Sequence, residues 1–300
     1  EIAPDYLDEG LDRFSQFFLG PLFNQDLIER ELKAVNSEHS KNIPNDFRRI
    51  RQVKRKAFVE NHPARNFSTG SLETLKGVTR EELLAFYNSQ YSSNRMMLAV
   101  AGPQNLDTLQ GLVVPRFASV KNLNLNQISF SSKYMNPDTR FRLMQVKTIK
   151  DTRTLTLMFA LPKTLHYYKS QPLGMLGFLI GHEGKGSLLS LLKRENLATG
   201  LSAGGGESNN SFSSFEVKIQ LTSKGLRNYK KIIQNVFEYL SLIRKSGLPH
   251  YVFEEVKRMS ELDYRFAEKP EGTSLVNVFS TLMMYYPFRT LEISPYMITD

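Results

Sequence analysis

Apolar residues recur at three- and four-residue spacing from the start of the chain. Leu7, Leu11, Phe14, Phe17 and Phe18 precede the break at Gly20-Pro21, a period that gathers them on one face of a helix. Asn24 stands where a helix cap is wanted, and Leu27, Ile28, Leu32 and Val35 form a second apolar stripe before Pro44. Residues 45–59 predict a third helix, with Phe47, Ile50, Val53 and Phe58 near one face and Arg48, Arg49, Arg51, Lys54, Arg55 and Lys56 around them. The expected arrangement turns the apolar side inward and leaves the cations as a solvated back. After a loop rich in Asn, Pro, Ser and Gly, Thr79 with Glu82 makes a capping box that starts a helix at residues 80–90. The run from Arg95 to Gly102 is short, apolar and bounded by turn formers, and reads as a buried strand.

The stretch from Lys121 to Asp138 lacks helical period and is dense in turn formers, so a domain boundary is expected near residue 130. Beyond it, Phe141–Thr148 and Thr152–Leu161 alternate apolar and polar positions across Lys150-Asp151, the pattern of a strand pair. Helices are expected at 169–180 and 185–195, flanking Gly181-His-Glu-Gly-Lys-Gly-Ser187. A Gly-rich segment, TGLSAGGGESNN, then precedes an alternating strand over Phe212–Leu221. Two amphipathic helices, 223–246 and 249–267, close the pattern on either side of Gly247-Leu-Pro249. Strands and helices mix without strict βαβ alternation, so the expected class is α+β, with domains at 1–130 and 131–300.

Composition narrows the chemistry. The chain has 300 residues, a net charge of +9 and 41% hydrophobic residues, enough for a substantial core. It has no cysteine, which excludes disulfides, thiolate zinc sites and a cysteine nucleophile. Any metal must therefore be held by His, Asp or Glu. No apolar run approaches the roughly 18 residues of a spanning helix, and no targeting signal is present, from which a cytoplasmic location is expected. The sequence starts without Met and ends as a new segment begins, at SPYMITD, so a piece of a longer protein is expected.

The segment from Arg30 to His39 carries the most chemistry. On a helix, Glu31 and Glu38 lie two turns apart, flanking the Ala34/Val35 stripe, and are expected to project toward the protein. Paired inward carboxylates suit a metal or a general acid/base site, because burying them uncompensated is costly. The alternative is that both sit at the stripe's edge and pair with Lys33, Arg30 or Lys41 in water.

The run LDRFSQFFLGPLFNQDLIERELKAVNSEHSKNIPND, the Phe67-Ser-Thr69-Gly70 loop, Gly181-His-Glu-Gly-Lys-Gly-Ser-Leu-Leu189 and the closing helices occur here in order. In these motifs, over nearly its whole length, the chain resembles the insulysin (insulin-degrading) family of insulinase-type inverzincin zinc metallopeptidases, and within it the fungal pheromone-processing branch. The resemblance implies two related α+β domains, each a mostly antiparallel sheet packed with helices, the first incomplete. It also implies zinc, and hydrolysis of short polypeptides, such as a pheromone precursor, in an enclosed chamber. Carried over residue by residue, Glu38 matches the third zinc ligand and Glu31 the carboxylate that supports a ligand histidine. Phe47 and Thr69 match positions lining the site. Leu201, Ser202, Ala203, Gly204 and Gly205 match an exosite strand, away from the zinc, to which substrate adds as a β-strand.

In this family two histidines and the general base come from His-x-x-Glu-His. None of His39, His62, His166, His182 and His250 belongs to such a motif. The expected partners are therefore peptide substrates and the remainder of the same polypeptide, an upstream zinc-binding helix and a C-terminal half, without which these residues would be inactive. The same fold could also serve a noncatalytic peptide-binding or scaffold role. Leu201–Gly206 lacks the Gly-Lys-Ser/Thr ending of a phosphate loop, and the Arg48–Lys56 cluster lacks the interleaved aromatics of a nucleic-acid surface, so neither nucleotide nor nucleic acid is expected.

Overall fold

The computed structural model describes residues 1–268, 270–293 and 296–299. Their contacts gather into two compact units that interleave along the chain: residues 1–44, 67–128 and 268–291 form one, and residues 45–66, 129–267 and 292–300 the other. Among the described residues no helix is long and apolar enough to cross a membrane.

The first unit holds α1 (Leu7–Leu19), α2 (Gln25–Asn42), α4 (Arg80–Gln90), α5 (Leu106–Phe117) and α11 (Gly272–Leu282). In α1 the predicted period buries Leu11 and sets Phe14 edge-on to Phe18, 5.2 Å between ring centroids, with Phe117 of α5 6.2 Å from each. Asn24 occupies the cap position of α2 in extended conformation, but its side chain makes no cap bond. The capping box of α4 is complete: the Thr79 side chain accepts from the Glu82 N–H while the Glu82 carboxylate accepts from the Thr79 N–H. Residues 96–102 form no strand, and Met97 and Leu98 are exposed. A strand is stable only when another backbone satisfies its N–H and C=O groups, and no described segment pairs with this one. The expected buried strand is thus corrected to a run outside any strand.

The second unit holds α3 (Asp46–Arg55), β1 (Thr154–Pro162), α6 (Pro172–Gly181), α7 (Leu188–Arg194), β2 (Ala198–Ser208), β3 (Phe212–Leu221), α8 (Ser223–Arg227), α9 (Tyr229–Ser246) and α10 (His250–Arg265). Its sheet is antiparallel with strand order β1-β3-β2, so β3 is central and β2 an edge. The chain is α+β.

The predicted hairpin between 141–148 and 152–161 does not form. Phe141 is fully exposed, and β1 pairs instead along its whole length with β3, from Thr154 opposite Gln220 to Pro162 opposite Phe212. The reason lies in burial: Phe215, Val217 and Ile219 on one face of β3 meet Leu155, Leu157 and Phe159 of β1 over a core closed by Leu189, Leu192, Ile232 and Val236. No local turn could offer that much apolar contact. The helix expected over 223–246 breaks at Asn228, because Thr222 caps a short α8 first, accepting from the Gly225 N–H.

The other sheet face carries a smaller aromatic core. Tyr134 stacks on Phe212 at 3.8 Å and meets Phe58 edge-on at 5.1 Å, and its hydroxyl donates to the Ser213 carbonyl. His62 locks the turn beneath, with Nε2 3.0 Å from the Ser131 carbonyl and Nδ1 accepting from the Ala64 N–H. These contacts hold the segment leaving α3 against the sheet.

Candidate functional site

In α2, Ile28 is buried and Leu32 and Val35 are half-buried, so the predicted stripe does face the protein. Glu31 and Glu38 do not: both are exposed, and neither makes a hydrogen bond or ion pair among the described residues. The expectation that they point inward is corrected, as is the alternative that Lys33, Arg30 or Lys41 neutralises them. Seven residues of helix separate them by about 10 Å along the axis on one side, which leaves two uncommitted carboxylates in a row.

The loop of Thr69 lies along the same helix. A Cβ on Gly70 (φ +87°) would stand 3.2 Å from Val35, and the Asn36 carboxamide oxygen accepts from the Leu72 N–H at 3.1 Å. His39 packs edge-on against Phe67 at 5.1 Å, a packing role. Thr69 is therefore in the same unit as Glu31 and Glu38, half-buried beside α2.

Zinc at a catalytic site takes three protein ligands and leaves a fourth position for water. Among the described residues no group of three or more His, Cys, Asp or Glu could hold a metal ion. These residues alone therefore do not make the site; α2 fits only as the donor of one ligand.

The second unit holds the remaining candidates. Phe47, on α3, is 69% exposed and Ile50 42%, the reverse of the expected orientation. The face of α3 that meets the sheet is the cationic one: Lys54 pairs with Glu216 of β3, and Arg51 lies 3.7 Å from Glu207 of β2. Glu216, 8% exposed, also pairs with Lys218 at 3.0 Å. Two carboxylates of the hairpin, Glu207 and Glu216, turned the helix over, because a buried carboxylate without a cation costs more than an exposed Phe. Glu216 escaped sequence reasoning, although a lone charge between Phe215 and Val217 in an alternating strand marks the face opposite the core.

Burial alone would raise the Glu216 carboxyl, but the hydrogen bonds and charges of Lys54 and Lys218 outweigh it and hold the group below its ordinary 4.5. Asp46, at the start of α3, accepts from the backbone N–H groups of Lys150 and Ile149 and is likewise lowered from 3.8. Nearby, burial with help from Glu207 and Glu216 pushes the Tyr134 phenol up to about 12. Lowered carboxyls contribute stability that is whole above their ordinary values and is lost as pH falls through the folded-state values. Lys54→Met should cost about 1–3 kcal/mol and flatten this acid limb of a stability-against-pH curve. An unchanged limb in acid titration followed by circular dichroism would refute the pairing.

Leu201, Ser202, Ala203, Gly204 and Gly205 all lie on β2, opposite Ile219, Lys218, Val217, Glu216 and Phe215 in turn. Beside them α6 comes unusually close: a Cβ on Gly177 would stand 2.8 Å from the Ala203 carbonyl oxygen. At the end of α6 a cavity of about 420 Å³ opens, lined by Gly177, Phe178, Gly181, His182, Glu183 and residues 201–203. Phe178, Leu201 and Ala203 give it an apolar floor, and Glu183, 3.5 Å from Lys193, stands at its rim. An edge strand with small side chains beside an apolar hollow can accept an extended peptide by backbone hydrogen bonding. The structure thus groups Glu31, Glu38 and Thr69 in one unit and Phe47 with 201–205 in the other.

Residues 77–260 match the family profile described as the peptidase M16 inactive domain. The chain is 38% identical over 303 residues to the insulin-degrading enzyme of Drosophila melanogaster, covering 99% of this chain and 31% of that enzyme. It is 36% identical over 284 residues to the A-factor-processing enzyme of Saccharomyces cerevisiae, covering 92% and 28%. It therefore spans about three tenths of the length of these relatives. Among solved structures, pitrilysin superposes over 100% of this chain and 32% of its own with a TM-score of 0.90 at 23% identity, which speaks to fold alone. With the profile covering more than half of the residues and the fold in agreement, the chain belongs to the M16, or insulinase, peptidase family.

Proposed function

We propose that this chain is part of a zinc metalloendopeptidase that cleaves short polypeptides in an enclosed chamber, with Glu38 as a zinc ligand and Glu31 as the carboxylate that supports a ligand histidine. The observation that carries the reading is the pair of exposed carboxylates two turns apart on α2, uncommitted to any cation of their own. The zinc, when bound, would polarise the scissile carbonyl and acidify a water at its open position. Everything else asked of these residues is binding and orientation. The imidazole ligands and the general base belong to a His-x-x-Glu-His that the 300 residues lack, so on this reading they are inert alone. Thr69 and Phe47 line the path of the substrate, and residues 201–205 hold one end of it as an added strand. A pheromone precursor is a fitting substrate, in keeping with the name of the yeast relative, the A-factor-processing enzyme.

The test compares the longest native form of the protein with the 300-residue chain. One zinc per molecule and peptide cleavage in the long form, with neither in the short one, supports the proposal. A second reading, a noncatalytic peptide-binding or scaffold member, is favoured by the matching profile being that of an inactive domain. A metal-free, inert long form that still binds peptides would establish it.

A further inference from the structure

The β2 edge has two faces, and the proposed anchoring of substrate there uses only one. Residues 201, 203 and 205 share the core face with Ile219, Val217 and Phe215, next to the apolar cavity. Residues 202 and 204 share the opposite face with Lys218 and Glu216. On that face β2 carries almost no side chain. A Cβ on Gly204 would meet nothing within 4 Å, and one on Gly206 would come nearest to the Ser214 and Glu216 side chains reaching over from β3. A strand added to the free edge of β2 would therefore present alternate side chains, unscreened, to the charges lying above β3. With strands about 4.8 Å apart, such a residue sits about 10 Å from β3 in the plane of the sheet, within reach of a long side chain.

Those charges are not balanced. Arg51, Lys54, Arg55 and Lys218 stand around Glu207 and Glu216, four cations to two carboxylates. Burial lowers the Arg55 guanidinium, and Arg51 beside it acts in the same direction, a sign of cations crowded beyond what Glu207 offsets. Lys54 is held on Glu216, but the side chains of Lys218 and Arg51 are 51% and 41% exposed and can reach a ligand.

We propose that this cationic face of the β2–β3 hairpin selects peptides bearing an acidic side chain at the position that docks across Gly204, with Lys218 and Arg51 as the specificity-determining residues. The proposal rests on strand addition at β2 and adds a substrate class to it. It also assigns a task to the basic helix α3, whose cations fold back onto the hairpin.

The experiment uses the longest native form and non-cleaved peptides identical except for Glu or Lys at one position of the anchored segment. Affinity is read by competition, and backbone protection of residues 201–206 by hydrogen exchange. The Glu peptide should bind about tenfold more tightly than the Lys peptide at low salt, the scale that a few exposed ion pairs support. The preference should shrink as salt screens it, and should vanish in Arg51→Gln/Lys218→Gln. The salt series needs no variant, so a misfolded double variant leaves the proposal testable. Equal affinities with 201–206 protected, or a preference that survives salt and both substitutions, overturn acid selection but spare strand addition. No protection with either peptide overturns strand addition and this inference with it.

Discussion

Glu38→Gln should empty the metal centre of the longest native form and lower peptide cleavage by at least about 100-fold, since changes to groups that only support a ligand already cost 10–100-fold. Zinc at a catalytic site has three protein ligands, and the carboxylate supplies the anionic one when the others are imidazoles. Glutamine keeps the shape and an oxygen but removes the charge, so affinity falls while the helix stays intact. Because Glu38 is exposed and makes no internal ion pair among the described residues, its neutralisation should leave the unfolding midpoint of the metal-free form unchanged, with only the zinc-dependent increment lost. Folding and zinc occupancy are thereby separable, one by circular dichroism and the other by metal analysis. Glu31→Gln should fall between Glu38→Gln and the native form in both zinc content and turnover. A Glu38→Gln enzyme that keeps one tightly held zinc and normal turnover would refute the ligand assignment.

The largest effect on stability should come from Gly225→Ala. A Cβ at this position would stand 1.8 Å from the carbonyl oxygen of Leu197, a backbone atom that cannot rotate aside. That oxygen already receives the Thr222 N–H at 3.1 Å, and the Thr222 hydroxyl donates to the Asn196 carbonyl at 2.8 Å while accepting from the Gly225 N–H. These bonds clasp the start of β2 to the end of β3. Alanine must open the clasp, at a cost at or above the ~3 kcal/mol upper end of ordinary overpacking. Gly204→Ala in the same sheet meets nothing and should stay within about 0.5 kcal/mol of the native chain. Equal denaturation midpoints for the two variants would show that the close approach at Gly225 does not exist in solution.

Much of the site was legible before the fold was known, in pieces. Glu31 and Glu38 stand on one helix because their seven-residue spacing and the Ile28/Leu32/Val35 stripe require it. The five residues 201–205 were open to a strand or a loop by pattern, since glycine favours neither, and they fall on one strand because they pair with β3. Their charges and partners were not legible. Whether a carboxylate at the edge of a stripe is buried, paired or free depends on what other segments bring to it, and for Glu38 nothing described brings a cation. The α3 helix shows the same limit more sharply. Its Phe47/Ile50 side and its Arg51/Lys54 side are both coherent faces, and periodicity cannot say which one meets the protein.

The sequence by itself determined where α1 to α4, α6, α7 and α10 lie, where Thr79 starts one of them, and the ordered motifs that mark an M16 peptidase. These follow from contacts between residues three or four apart and from the allowed conformations of single residues. Only the tertiary structure decided that β1 pairs with β3 rather than with residues 141–148, that residues 96–102 stay unpaired, and that α3 turns its cations inward. The pair that orients α3, Lys54 with Glu216, joins residues 162 positions apart. Such contacts are chosen by the burial and charge compensation of whole faces, which no local pattern records.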